Sequence, residues 1–154
     1  MRTTLATLTL ATLLGHATTA SAQERKVTNA TLPPAVRQAV TANSEGATIK
    51  GYSREREHGR TLYEAEMTVD GHTKDVLFDA TGKVVEVEEQ VELSALPAAV
   101  QSALEAGAGK AKITKIESLT KAGKLVAYEA QLTSGRKHSE IQVGPGGERL
   151  SHEE

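Results

Sequence analysis

Leu32-Pro33-Pro34-Ala35-Val36 recurs later in the chain as Leu96-Pro97-Ala98-Ala99-Val100. The agreement runs on through Ala47 and Ala111, Ile49 and Ile113, Tyr63-Glu64-Ala65 and Tyr128-Glu129-Ala130, Gly71 and Gly135, and Gly82 and Gly146, with a single-residue slip around the second strand. Register held over so many elements predicts a duplication. Residues 31–92 are read as the first copy and 93–154 as the second, preceded by a leader over 1–22 and a linker over 23–30.

Each copy opens with a helix. Proline is tolerated in the first helical turn, where its missing N–H has no partner to lose. Leu32, Val36, Ala39 and Val40 then fall on one face, as do Leu96, Val100, Ala103 and Leu104, and Asn43 to Gly46 and Gly107 to Gly109 supply stop signals. A one-sided helix needs a sheet to cover, and alternating segments follow. In Leu62 to Val69 one face holds Tyr63, Ala65, Met67 and Val69, while Glu64, Glu66 and Thr68 take the other; Leu125 to Leu132 alternates likewise. Period two with one polar face predicts antiparallel strands covered on one side.

Turns are expected at His58-Gly59, Asp70-Gly71, Ala122-Gly123 and Ser134-Gly135, with a fourth strand of each copy at Lys83 to Val91 and Glu148 to Ser151. The expected fold class is α+β: two tandem repeats, each a helix and an antiparallel β-meander, sharing one sheet with both helices on one face.

The sheet face away from the helices is the natural contact surface. Pairing the first two strands about Gly59 would set Arg54 opposite Glu64 and Tyr52 opposite Glu66. Tyr52, Arg54, Glu64 and Glu66 are therefore the candidate partner-binding residues.

Composition narrows the function. Arg2 is the sole charged residue before Glu24, and the apolar run Leu5 to Leu14 ends in Ala20-Ser21-Ala22, the pattern of a secretory signal peptide. Cleavage after Ala22 would deliver the chain to the periplasm or the medium with no stable membrane insertion. The absence of cysteine leaves no disulfide framework and no lipid-bearing cysteine. Net charge is −2 for the whole chain and −3 once Arg2 is removed, which offers no footprint for nucleic acid. Aromatic residues, at 3 %, are too few for an extended stacking surface.

His58, His72, His138 and His152 show no metal-ligand spacing. Asp79 to Gly82 is like the start of a calcium loop but lacks the later acidic ligands, and reads as a turn. No nucleophile elbow or phosphate loop is present. No enzyme activity, metal or cofactor is expected.

The motifs Leu-Pro-x-Ala-Val, Tyr-Glu-Ala and Asp75-Val76-Leu77-Phe78-Asp79-Ala80-Thr81-Gly82-Lys83-Val84 together resemble the PepSY-like domains of bacterial envelope proteins, also described as β-lactamase-inhibitor-like. The resemblance spans nearly the whole mature chain and is better in the first copy; the second has Gly144-Pro145-Gly146-Gly147 where the family shows an aspartate-containing turn. It implies a non-enzymatic extracytoplasmic module with a fold similar to the duplicated secreted β-lactamase inhibitor. That inhibitor uses an aromatic-rich, disulfide-stapled sheet, which this chain lacks, so β-lactamase inhibition is not carried over. The expectation is an exported, non-catalytic protein that binds, inhibits or modulates another envelope protein through its open sheet face; the alternative is a small-ligand or cation-responsive envelope binding protein.

Overall fold

The computed structural model describes residues 24–57, 59–152 and 154. The expected leader over 1–22 and the turn residue His58 lie outside the described residues. The fold is α+β, with two α-helices and one antiparallel sheet of eight strands in chain order among the described residues. The strands are β1 (Arg25–Val27), β2 (Thr48–Glu57), β3 (Arg60–Val69), β4 (His72–Asp79), β5 (Val84–Gln90), β6 (Lys112–Lys121), β7 (Lys124–Ser134) and β8 (Lys137–Val143). Helix α1 (Pro34–Asn43) follows β1, and α2 (Ala98–Ala108) follows β5.

Both helices start at the proline motif. The carbonyls just before the N-caps are tied back to the first turns: Arg37 donates to the Leu32 carbonyl at 2.6 Å and Gln101 to the Leu96 carbonyl at 2.8 Å. From α1, Val36 and Val40 bury against Ala65, Met67, Val76 and Phe78; from α2, Val100, Leu104 and Ala108 bury against Ile116, Ala130, Leu132 and Val143. Each large apolar side chain so buried contributes ~1.5–3 kcal/mol. On β5, Val87 packs into the α1 cluster and Val91, just beyond the strand, into the α2 cluster. Even residue spacing along an extended chain keeps them on one face, so the two helices share one side of the sheet.

Three expectations are corrected. The stretch 23–30, expected to be a linker, contains β1 and the first residues of a 3-10 turn at Asn29–Thr31; Val27 packs into the α1 cluster, and the ladder to β2 holds the segment. The fourth strand expected at Glu148 to Ser151 is reduced to an isolated bridge between Val143 and Arg149, which follows a turn closed by the Gly144 N–H on the Glu148 carbonyl at 2.8 Å. The glycine that matches Gly82 in its contacts is Gly147 rather than Gly146: a Cβ on Gly82 would lie 2.6 Å from the Ala35 carbonyl oxygen, and one on Gly147 2.6 Å from that of Ala99.

These two glycines, with φ of +81° and +85°, let the turns pass directly beneath the first turns of the helices. Gly82→Ala and Gly147→Ala should each lower stability by about 2–4 kcal/mol, because backbone strain adds to a clash with main-chain atoms. Gly46→Ala, at φ +73° with open space around it, should cost only about 1–2 kcal/mol. Urea unfolding measures the difference; equal costs at the three positions would show that the helix contact does not matter.

Candidate functional site

The register of β2 on β3 decides which side chains reach the open face. Ser53 lies opposite Glu64, Gly51 opposite Glu66, Tyr52 opposite Ala65 and Arg54 opposite Tyr63. The expected pairs, Arg54 with Glu64 and Tyr52 with Glu66, are therefore displaced by one residue. Glu57 pairs with Arg60, so the turn pivots between positions 58 and 59 rather than on Gly59 itself. A one-residue slip moves every side chain to the other face. Tyr52 and Arg54 stand on the helix side, where Tyr52 packs into the α1 cluster and accepts a hydrogen bond from Asn29 at 3.1 Å. Glu64 and Glu66 stand on the open face, so the four residues do not form one surface.

What the structure brings to Glu64 and Glu66 is a set of further carboxylates. Across the open face one row runs Glu64, Leu77, Glu86, Lys121; the next runs Glu66, Asp75, Glu88, Leu119, Ala127; a third runs Gln90, Glu117, Glu129, Gln142. Carboxylate oxygens of Asp75, Glu88 and Glu117 lie within 4.8 Å of one another, as do those of Glu24, Glu64 and Glu66. Gly51 makes room for this crowding, since a Cβ there would sit 3.3 Å from the Glu66 oxygens.

Counter-charges are fewer. Lys26 pairs with Glu66 and lies 3.4 Å from Glu24; Lys115 is 2.8 Å from Glu117, and Lys121 3.5 Å from Glu86. Ser53 donates to Glu64 at 2.6 Å and Gln142 to Glu129 at 2.8 Å. Leu62, Leu77, Leu119 and Ala127 are buried although they project to the side without helices. The register sets Leu77 between Glu64 and Glu86, which places long side chains over an apolar floor.

Crowding holds protons. Burial, reinforced by the Glu86, Glu117, Glu129 and Asp75 charges, pushes the Glu88 carboxyl up to about 8. Asp75 is pushed up to about 6, by burial first and then by the Glu64, Glu117 and Glu66 charges against the opposing pull of Lys115. Glu64 and Glu129 are also raised, chiefly by burial. At neutral pH the face thus mixes charged and protonated carboxyls, a surface suited to cations or to basic groups on a partner.

Asp79 does something different. Its Oδ1 accepts from the Thr81 hydroxyl at 2.5 Å and from the Thr81 and Lys83 N–H groups at 2.8 and 3.1 Å, and this bonding, the Thr81 hydroxyl foremost, lowers its pKa. The aspartate closes the turn under α1.

Of the carboxylates that define the face, Glu64 and Glu66 are legible from strand alternation. Asp75, Glu86, Glu88, Glu117 and Glu129 were not singled out, although Glu86 and Glu88 alternate in β5 in the same way. Asp75 and Glu88 bind protons more tightly in the folded chain than in the unfolded one. The folded state is the more protonated between about pH 4 and pH 8, so stability falls as pH rises through that window. Asp79 has the opposite sign, and its contribution is lost only as the pH falls below the ordinary aspartate value of 3.8. Urea unfolding should therefore give higher stability at pH 5.5 than at pH 8.5, and Glu88→Gln should be more stable than wild type at pH 8.5 with a flatter pH dependence. An unchanged slope in that variant would remove Glu88 as the cause.

The family described as "Putative beta-lactamase-inhibitor-like, PepSY-like" matches residues 18–70 and 61–145. No curated protein matches the sequence. Among solved structures, the chain is similar to a BLIP-like protein from Bacteroides fragilis, with TM-score 0.55 and 23 % identity over 75 % of this chain and 81 % of that one. A DUF2874 family protein from Bacteroides ovatus gives TM-score 0.60 at 18 % identity, covering 79 % of this chain and 86 % of that one. A protein from Bacteroides eggerthii described as "putative periplasmic" gives TM-score 0.62 at 20 % identity, covering 77 % and 86 %. At these identities the likeness is one of fold. With the family match extending over most of the chain, this protein belongs to the PepSY-like, β-lactamase-inhibitor-like family.

Proposed function

We propose that the chain is an exported, non-catalytic binding module in which two tandem units present one continuous acidic face to a basic surface on another envelope protein, whose activity it modulates. The observation that carries this reading is the uncovered sheet face centred on Asp75, Glu88 and Glu117, with Glu64 and Glu66 beside it. Desolvated carboxylates backed by apolar residues favour an oppositely charged partner and steer its approach. The tandem reading is supported by the matched placements of Gly82 beneath Ala35 and Gly147 beneath Ala99, and by β1 pairing with β2 as β5 pairs with β6. Periplasmic or secreted placement is supported by the leader-like sequence over 1–22. Among the described residues, no helix is long and apolar enough to cross a membrane.

A second reading, a cation-responsive protein, has its own observation: three carboxylate oxygens within 4.8 Å of each other. One experiment separates the two. Mature protein carrying Glu64→Lys and Glu66→Lys, and a control carrying Glu105→Lys on the exposed side of α2, are used with wild type for cross-linked capture from the native envelope, with and without calcium or magnesium. The binding proposal expects a partner captured by wild type and the control and lost in the double variant without added cation. Capture that survives the reversals would overturn the face assignment. A rise in melting temperature with the metal alone, lost in Glu117→Gln, would favour the cation reading.

A further inference from the structure

β1 lies antiparallel on β2 with Arg25 directly opposite Arg54, and Arg54 lies opposite Tyr63. Paired residues share a face of the sheet. Arg25, Arg54 and, two residues on, Arg56 therefore project to the side of Tyr63, which is the helix side and not the acidic open face. With Glu24 they line an open cleft of about 410 Å³. All three arginines are exposed, and among the described residues none has an ion-pair or hydrogen-bond partner through its side chain. The one acidic group lining the cleft, Glu24, already has Lys26 at 3.4 Å.

Like charges directly opposite one another on neighbouring strands are destabilising. Charged side chains guard an edge strand against aggregation, but that role does not require three guanidinium groups to line one cleft. A multivalent oxyanion relieves the repulsion. The guanidinium fork donates two parallel N–H bonds to adjacent oxygens of one group, a geometry that phosphate satisfies from several sides at once. A monocarboxylate would neutralise only one of the three, whereas a phosphate monoester carries nearly two charges at neutral pH.

We propose that Arg25, Arg54 and Arg56 form an anion site at the β1 end of the sheet that takes a terminal phosphate group, either free in solution or on a lipid headgroup. The three arginines lie on the opposite side of the sheet from Glu64, Glu66 and the Asp75 cluster, and of the cleft's lining only Glu24 reaches that face, so the arginine site can be tested apart from the open-face reading.

The test uses the mature protein, wild type and Arg25→Gln/Arg54→Gln, titrated with inorganic phosphate in low-salt buffer at pH 7 while backbone amide NMR shifts of β1 and β2 are followed. Wild type should show saturable shifts that weaken as sodium chloride is added. The double variant should lose at least tenfold in affinity, and Arg56→Gln alone should lose a smaller factor. Removing like charges should leave the ligand-free double variant folded and no less stable than wild type at low salt, so lost binding cannot be ascribed to lost folding. Sedimentation with phosphatidylcholine vesicles, with and without phosphatidic acid, identifies the source: co-sedimentation that needs phosphatidic acid and the arginines assigns the site to a lipid, and phosphate shifts without co-sedimentation assign it to a soluble phosphate. Equal phosphate affinity in wild type and the double variant, or no saturable shift in either, would overturn the proposal.

Discussion

The pairing of β5 with β6 is the contact on which the rest of the molecule depends. Glu86 lies opposite Lys121, Glu88 opposite Leu119 and Gln90 opposite Glu117. This ladder makes one eight-stranded sheet of what would otherwise be two short meanders, and a unit of about 60 residues buries a smaller fraction of its surface than a chain twice its length, so each would be marginal alone. It also puts Val87 under α1 and Val91 under α2, so a single stretch of chain fastens both apolar clusters. The same ladder brings Glu88 of one half against Glu117 of the other, with Asp75 alongside. Folding and the charge of the open face are thereby linked: the register that completes the core brings these carboxylates together on the opposite face.

That congestion works against stability. Carboxyls that keep their protons to near neutrality are carboxyls that the fold would hold more comfortably if they were amides. The sheet tolerates them because Lys26, Lys115 and Lys121 offset part of the charge and because Ser53, Gln142 and the buried leucines around them supply hydrogen bonds and packing. Strongly shifted carboxyls concentrate at functional sites, and a basic partner docked on such a face would recover free energy that the isolated face forgoes. The arginines at the β1 end show the same pattern with the sign reversed, and the two patches lie on opposite sides of one sheet.

Much of the architecture was legible in the sequence because it rests on local signals. The proline-led helix stripes, the alternation of β3 and β7 and the glycine-bearing turns each specify their own element. Interfaces that depend on parity were not legible. Whether the first hairpin pivots on Gly59 or between positions 58 and 59 changes nothing in the strand pattern, yet it decides that Arg54 faces Tyr63 rather than Glu64. β1 escaped notice because Arg25–Val27 is three residues long with two charges, too short to show alternation. The Asp75, Glu88 and Glu117 cluster needs the relative register of three strands from both halves, information that no single stretch contains.

The central claim is that the β5–β6 junction buries Glu88, with other carboxyls close around it, deeply enough to keep it protonated at neutral pH. A carbon-13 carboxyl NMR titration of the intact protein tests it most directly. The account predicts a Glu88 midpoint near 8, as the burial and surrounding charges require. A midpoint near the ordinary glutamate value of 4.5 would contradict it, and the acidic face would then be an ordinary solvated surface.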